Sequence, residues 1–111
     1  MDVLSKQAKK DIRQLIIIGR DRETTKFLQQ VESMLQGPYQ EGETTTDRFW
    51  KLNEWMRKKG KYMVDKYDCP TDCQHFLVTR LFNEEFIKPD DEPMTYEVMD
   101  IINKLNTLAQ R

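Results

Sequence analysis

The sequence predicts an all-α fold of four helices with one long central helix, assembled as a helical homodimer. Three observations predict it. Apolar residues recur in steps of three and four along four stretches, which places them on single helix faces. Only Leu15-Ile16-Ile17-Ile18, before Gly19, has a short buried strand as its alternative, and with no second β-rich run to pair with it a helix is preferred. A composition of 38% hydrophobic and 33% charged residues, with a mean hydropathy of -0.80, suits long helices with solvated faces. A chain of 111 residues is expected to form one domain over 1–111, burying roughly two-thirds of its unfolded surface around a single modest core.

The first helix is expected over about 5–36. Ala8, Ile12, Leu15 and Ile16 form one apolar group, and Phe27, Leu28, Val31, Met34 and Leu35 form another. At ~100° per residue the second group is rotated from the first, with Gly19 between them, so the helix either bends near Gly19 or serves two partners. Gly37-Pro38-Tyr39-Gln40-Glu41-Gly42-Glu43 is a loop, opened by a C-capping glycine and a proline that cannot continue a helix. Thr44 supplies an N-cap hydroxyl and Asp47 a first-turn acid for the second helix, expected over 44–67. Such a helix reaches ~36 Å, long for so small a protein.

Asp68-Cys69-Pro70 breaks the chain, with Pro70 suited to a first helical position of a third helix over 70–87. Cys73, Phe76, Leu77, Leu81 and Ile87 line one side of it and Val78 and Phe82 another, which predicts the most buried element. After the linker Lys88-Pro89-Asp90-Asp91-Glu92-Pro93, the last helix is expected over 94–110. Its stripe is Val98, Ile101, Ile102, Leu105, Leu108 and Ala109, opposite Glu97, Asp100, Asn103 and Lys104.

Eighteen basic against nineteen acidic residues leave a net charge of -1, so no global field draws phosphate or anionic lipid, and nucleic-acid binding is not expected. No run of ~18 apolar residues exists for a membrane span, and Met1-Asp2-Val3-Leu4-Ser5 lacks the basic and apolar regions of a secretory signal. The expectation is a soluble, cytoplasmic protein with no integral membrane segment. Two cysteines, Cys69 and Cys73, are too few for a disulfide framework and fit a reducing compartment.

On the second helix Phe49, Leu52, Met56, Met63 and Tyr67 share the expected core face. Trp50, Glu54, Arg57 and Lys61, spaced 4, 3 and 4, share a different one. A tryptophan among charges opposite the core stripe is a typical anchor for a second surface, although Trp50 could equally lie along a neighbouring helix. Pairing this helix with its copy in a two-fold dimer would cover both faces, and Trp55 on a third sector adds to the case.

Cys69-Pro-Thr-Asp-Cys73-Gln-His75 gathers metal-ligand types, yet three candidates from one turn do not close a tetrahedral site. The redox motif needs two residues between its cysteines and this one has three. Ordinary capping and burial is favoured there, and no metal or cofactor is expected. His75 has no oriented partner or nucleophile, and the acids Glu84-Glu85, Asp90-Asp91, Glu41 and Glu43 read as solvated surface, so no catalytic residue is expected. Arg57-Lys58-Lys59 with Lys61 is the one nucleic-acid hint, but Glu54 and Asp65 interleave with it. Gly37, Gly42 and Gly60 make no phosphate-binding loop.

The stretch Asp47-Arg-Phe-Trp50-Lys-Leu-Asn-Glu54-Trp-Met, running on to Lys66-Tyr67-Asp68, resembles the fluorescence recovery protein family of cyanobacteria. That family shows a Trp-basic-Leu-x-acid-aromatic run, a Lys-Tyr-Asp ending and then a hydrophobic helix. From about Ala8 to Ala109 the resemblance is one of helix order and pattern. It implies an all-α homodimer that docks on the C-terminal domain of orange carotenoid protein, the photoactive quencher of phycobilisomes, and speeds its return from the red quenching form to the orange form. Carried over, Trp50 and Glu54 belong to the dimer interface, to which the shared helix face adds Arg57, and Phe76 belongs to partner binding, to which Lys61 is assigned as a basic residue beside Gly60. Gly60 stands where the family carries a functional arginine, with Lys61 beside it, and Asn53 stands where the family carries a histidine. The reading implied is a non-enzymatic regulator, with a diverged helical module acting on another protein partner as the alternative and a nucleic-acid binder far behind.

Overall fold

The computed structural model describes residues 4–70 and 73–110. The opening residues Met1-Asp2-Val3, read above for a leader, lie outside the described residues, as do Thr71 and Asp72 of the cysteine segment. Among the described residues the regular elements are all helices, with no strand: α1 (Lys6–Gln36), α2 (Thr45–Tyr67), α3 (Gln74–Asn83) and α4 (Tyr96–Ala109). The chain groups into two compact units, one of Thr24–Asp68 and one of the residues up to Glu23 with those from Cys69 onward.

The second of these, the head unit, holds the apolar core. Ala8, Ile12 and Leu15 of α1, Leu77, Val78 and Leu81 of α3, Ile87 after it, and Val98 and Ile102 of α4 are all buried. The run that could have been a strand is helical, since Leu15-Ile16-Ile17-Ile18 lies inside α1 with Gly19. Gly19 is a close-approach position: a Cβ there would lie 2.9 Å from Leu81 Cδ1 and 3.3 Å from Ile87 Cγ2. Two polar ties complete the unit. Ser5 accepts from the Ala8 amide and donates from its hydroxyl to Glu97 at 2.7 Å, so the α1 cap is anchored to α4. Asn83 and Asn106 exchange two amide hydrogen bonds, of 2.9 and 3.0 Å, between α3 and α4.

α3 is shorter than the 70–87 expected. It starts at Gln74, after Cys73, and stops at Asn83 because Glu85 turns into the left-handed region at φ 65°. The Phe86 amide then donates back to the Leu81 carbonyl at 2.9 Å, closing the helix end. Four of its ten residues are buried, making it the most densely buried helix. Phe76, counted on its apolar side by spacing, is instead 59% exposed.

In Thr24–Asp68 the last turns of α1, a loop and α2 form a helical hairpin. Thr44 and Asp47 form a reciprocal capping box at the start of α2: the Asp47 amide donates to the Thr44 hydroxyl and the Thr44 amide to the Asp47 carboxylate. Those bonds hold the Asp47 carboxyl below its usual range. Arg48 fastens the loop. Its guanidinium donates to the carbonyls of Gly37 at 2.6 Å and Pro38 at 2.9 Å, pairs with Glu43 at 3.1 Å, and stacks 3.9 Å from the centre of the Tyr39 ring.

Candidate interaction surface

The expected core stripe of α2 is not buried. Phe49 is 59% and Met56 45% exposed, Leu52, Met63 and Tyr67 are half-buried, and the only buried residue of the helix is Lys66, whose ammonium lies 3.3 Å from the Tyr62 hydroxyl. The second apolar group of α1 fares the same way, with Leu28 and Leu35 exposed and Phe27, Val31 and Met34 half-buried. The physical reason is geometric. A two-helix hairpin has one contact line between its helices, and apolar residues set on more than one sector of each helix need a further layer to cover them.

What does meet across the hairpin is aromatic. Phe27 packs edge-on against Trp55 and Tyr62, at 6.0 Å between ring centres in both cases, and the Lys59 ammonium sits 5.2 Å from the Phe27 ring. So Trp55, on its separate sector, faces α1.

Trp50 is 59% exposed and lies edge-on to Phe49, with ring centres 5.2 Å apart. It borders a shallow depression lined by Lys51, Glu54, Trp55 and Lys58. Within this face Glu54 is bridged by Arg57, whose Nη2 donates to Oε1 at 2.9 Å and whose Nε donates to Oε2 at 3.2 Å, with Lys58 3.7 Å from the same carboxylate. The guanidinium holds the Glu54 carboxyl below its usual range, and the carboxylate raises Arg57 in return. Lys61 is exposed on the same helix, and nothing lies within 4 Å of a Cβ placed on Gly60. The spacing argument therefore finds Trp50, Glu54, Arg57 and Lys61 on one open helix. It misses the wider apolar exposure of the hairpin, whose signal was already present in the two rotated apolar groups of α1.

Phe76 belongs to the head unit, where Tyr96 and Leu108 are also exposed. His75 is half-buried and its carbonyl accepts from the Thr79 hydroxyl at 2.8 Å. Cys69 and Cys73 correct the reading of that segment as ordinary capping and burial. The two are joined by a disulfide, both are half-buried, and Cys73 at the N-cap of α3 makes no side-chain capping bond. Among the described residues no group of three or more His, Cys, Asp or Glu is gathered to hold a metal ion, and no helix is long and apolar enough to cross a membrane. No family model, curated protein or solved structure matches the chain.

Proposed function

We propose that this protein is a non-enzymatic, dimeric helical regulator of the fluorescence recovery type, acting in the cyanobacterial cytoplasm. It binds photoactivated orange carotenoid protein through that protein's C-terminal domain and accelerates reversion from the red quenching form to the orange form, restoring phycobilisome fluorescence. The observation that carries the reading is the open face of α2. Trp50 and Glu54, which lie in the stretch that carries the resemblance, and Arg57, which pairs with Glu54, stand on the open side of a hairpin that buries almost none of its own apolar side chains. A second copy applied to this hairpin supplies the missing layer, with Trp50 as anchor and the ion pair at its rim.

Phe76 and Lys61 are the partner-binding residues in this reading. An exposed phenylalanine on a short, well-buried helix is a rigid apolar contact with little side-chain entropy to lose. No bond is made or broken. The regulator binds the carotenoid protein more tightly on the reversion path than in the red form, and so lowers the barrier between them.

A second reading, a diverged module of the same architecture acting on a different protein, is favoured by Gly60. A lysine at 61 supplies charge without the planar fork of the family's arginine. One experiment separates the two: absorbance decay of red orange carotenoid protein in the dark, with and without stoichiometric protein. Faster recovery supports the regulator. Unchanged recovery with folded, dimeric protein leaves the module and moves the search to another partner.

A further inference from the structure

We propose that Cys69 and Cys73 are a reversible dithiol–disulfide couple, a redox site at the junction of α2 and α3 that a thioredoxin-class dithiol reduces. The pair lies where the chain passes from Thr24–Asp68 to the head unit. Their Cα atoms are 5.9 Å apart, within the range a disulfide spans without backbone movement.

The surroundings suit both oxidation states. Hydrogen bonds independent of the bridge hold the backbone on either side: the Asp68 amide donates to Val64 at 2.8 Å, ending α2, and the Cys73 amide donates to Pro70 at 3.0 Å. Each sulfur lies near the Pro70 carbonyl, at 3.4 Å for Cys69 and 3.3 Å for Cys73, so each thiol of the reduced form has an acceptor at hand. Both residues are half-buried, which leaves them open to an exchange partner.

Neither structural explanation for the cysteines fits as well. Positions separated by four enclose a small loop, the arrangement in which a crosslink restricts the unfolded chain least. Ser, Thr, Asp or Asn would cap α3, whereas Cys73 does not.

The exchange balances as two thiol displacements. A thiolate of the reductant attacks Cys69 sulfur, forming a mixed disulfide and releasing Cys73 as a thiolate at the positive end of α3. The reductant's second thiol then attacks its own mixed-disulfide sulfur and releases Cys69. Two protons are taken up, two electrons pass to the protein, and the reductant leaves as a disulfide. Oxidation is the reverse, driven by any oxidised dithiol. Reduction frees Cys73, the N-cap residue of α3 and three residues before Phe76, from Cys69.

The test uses the whole chain and needs no binding partner, so it stands or falls separately from the regulator reading. Oxidised protein is incubated with thioredoxin, thioredoxin reductase and NADPH, and maleimide-reactive thiols are counted by mass. The expected result is a rise from none to both of the chain's 2 cysteines with one NADPH consumed per chain, reversed by oxidised dithiothreitol. The C69S and C73S variants consume none. The proposal is overturned if thiols stay reactive under oxidising conditions, if the bridge yields only after denaturation, or if oxidation links separate chains instead.

Discussion

Arg22 of α1 holds Asp91 through two parallel hydrogen bonds of 2.8 Å each, and the same guanidinium donates to the Phe86 carbonyl at 3.0 Å. One side chain thereby fixes both ends of the 86–91 segment, while Asp91 also accepts from the Lys88 amide at 2.7 Å. The guanidinium keeps the Asp91 carboxyl below its usual value of 3.8. A carboxylate depressed in the folded state stabilises the fold above the unfolded value and loses that contribution as pH falls through the folded value. Stability is expected to decline on acidification below about pH 4. In D91N the part of that decline owed to Asp91 disappears, and the variant is less stable at neutral pH by roughly 1.5–3 kcal/mol. Urea unfolding of both proteins at pH 7 and pH 3 measures the two effects.

Substitutions at three backbone positions are expected to act with different signs. At Gly60, where nothing lies near the added methyl, alanine stabilises α2 by about 1 kcal/mol. At Gly19 the methyl meets Leu81 and Ile87, both fully buried, and overpacking of roughly 1–3 kcal/mol outweighs the propensity gain. At Glu85 the positive φ favours glycine, so E85G raises stability by up to about 1 kcal/mol. Thermal melts that rank G19A below wild type, with G60A and E85G above it, support all three assignments; a stabilised G19A sinks the close-packing account.

For the dimer proposed above, Trp50→Ala is expected to leave helix content intact and to give a monomer in sedimentation at micromolar concentration, where the unmodified protein sediments as a dimer. The indole is exposed in the chain, so its removal opens no cavity there. Loss of folding would instead place Trp50 in a core that the chain does not show.

The head unit was largely legible in the sequence because periodicity and burial coincide there: Ile12, Leu15, Leu81, Val98 and Ile102, all read as apolar-face residues, are all buried. The Thr44–Asp47 cap was legible too, since its chemistry is local. In the hairpin, periodicity predicted which side chains align but not whether anything covers them. Phe49 and Met56 keep helical spacing yet stay open, because burial depends on a layer that a single chain need not supply. Arg22–Asp91 was illegible for the opposite reason: the partners are 69 residues apart, and no local pattern links them.

Arg48 has a consequence for association. By holding the carbonyls of Gly37 and Pro38 and the Glu43 carboxylate while stacked on Tyr39, it fixes the hairpin bend within the single chain. A second copy docking on the α2 face, as proposed above, would meet a connection already ordered by these contacts. The loop-ordering penalty that weakens many encounters is absent, and affinity then rests on the contacts themselves. Loosening the bend with R48A would lower affinity at a distance from the contact face, chiefly by slowing the formation of productive complexes rather than by hastening their breakdown.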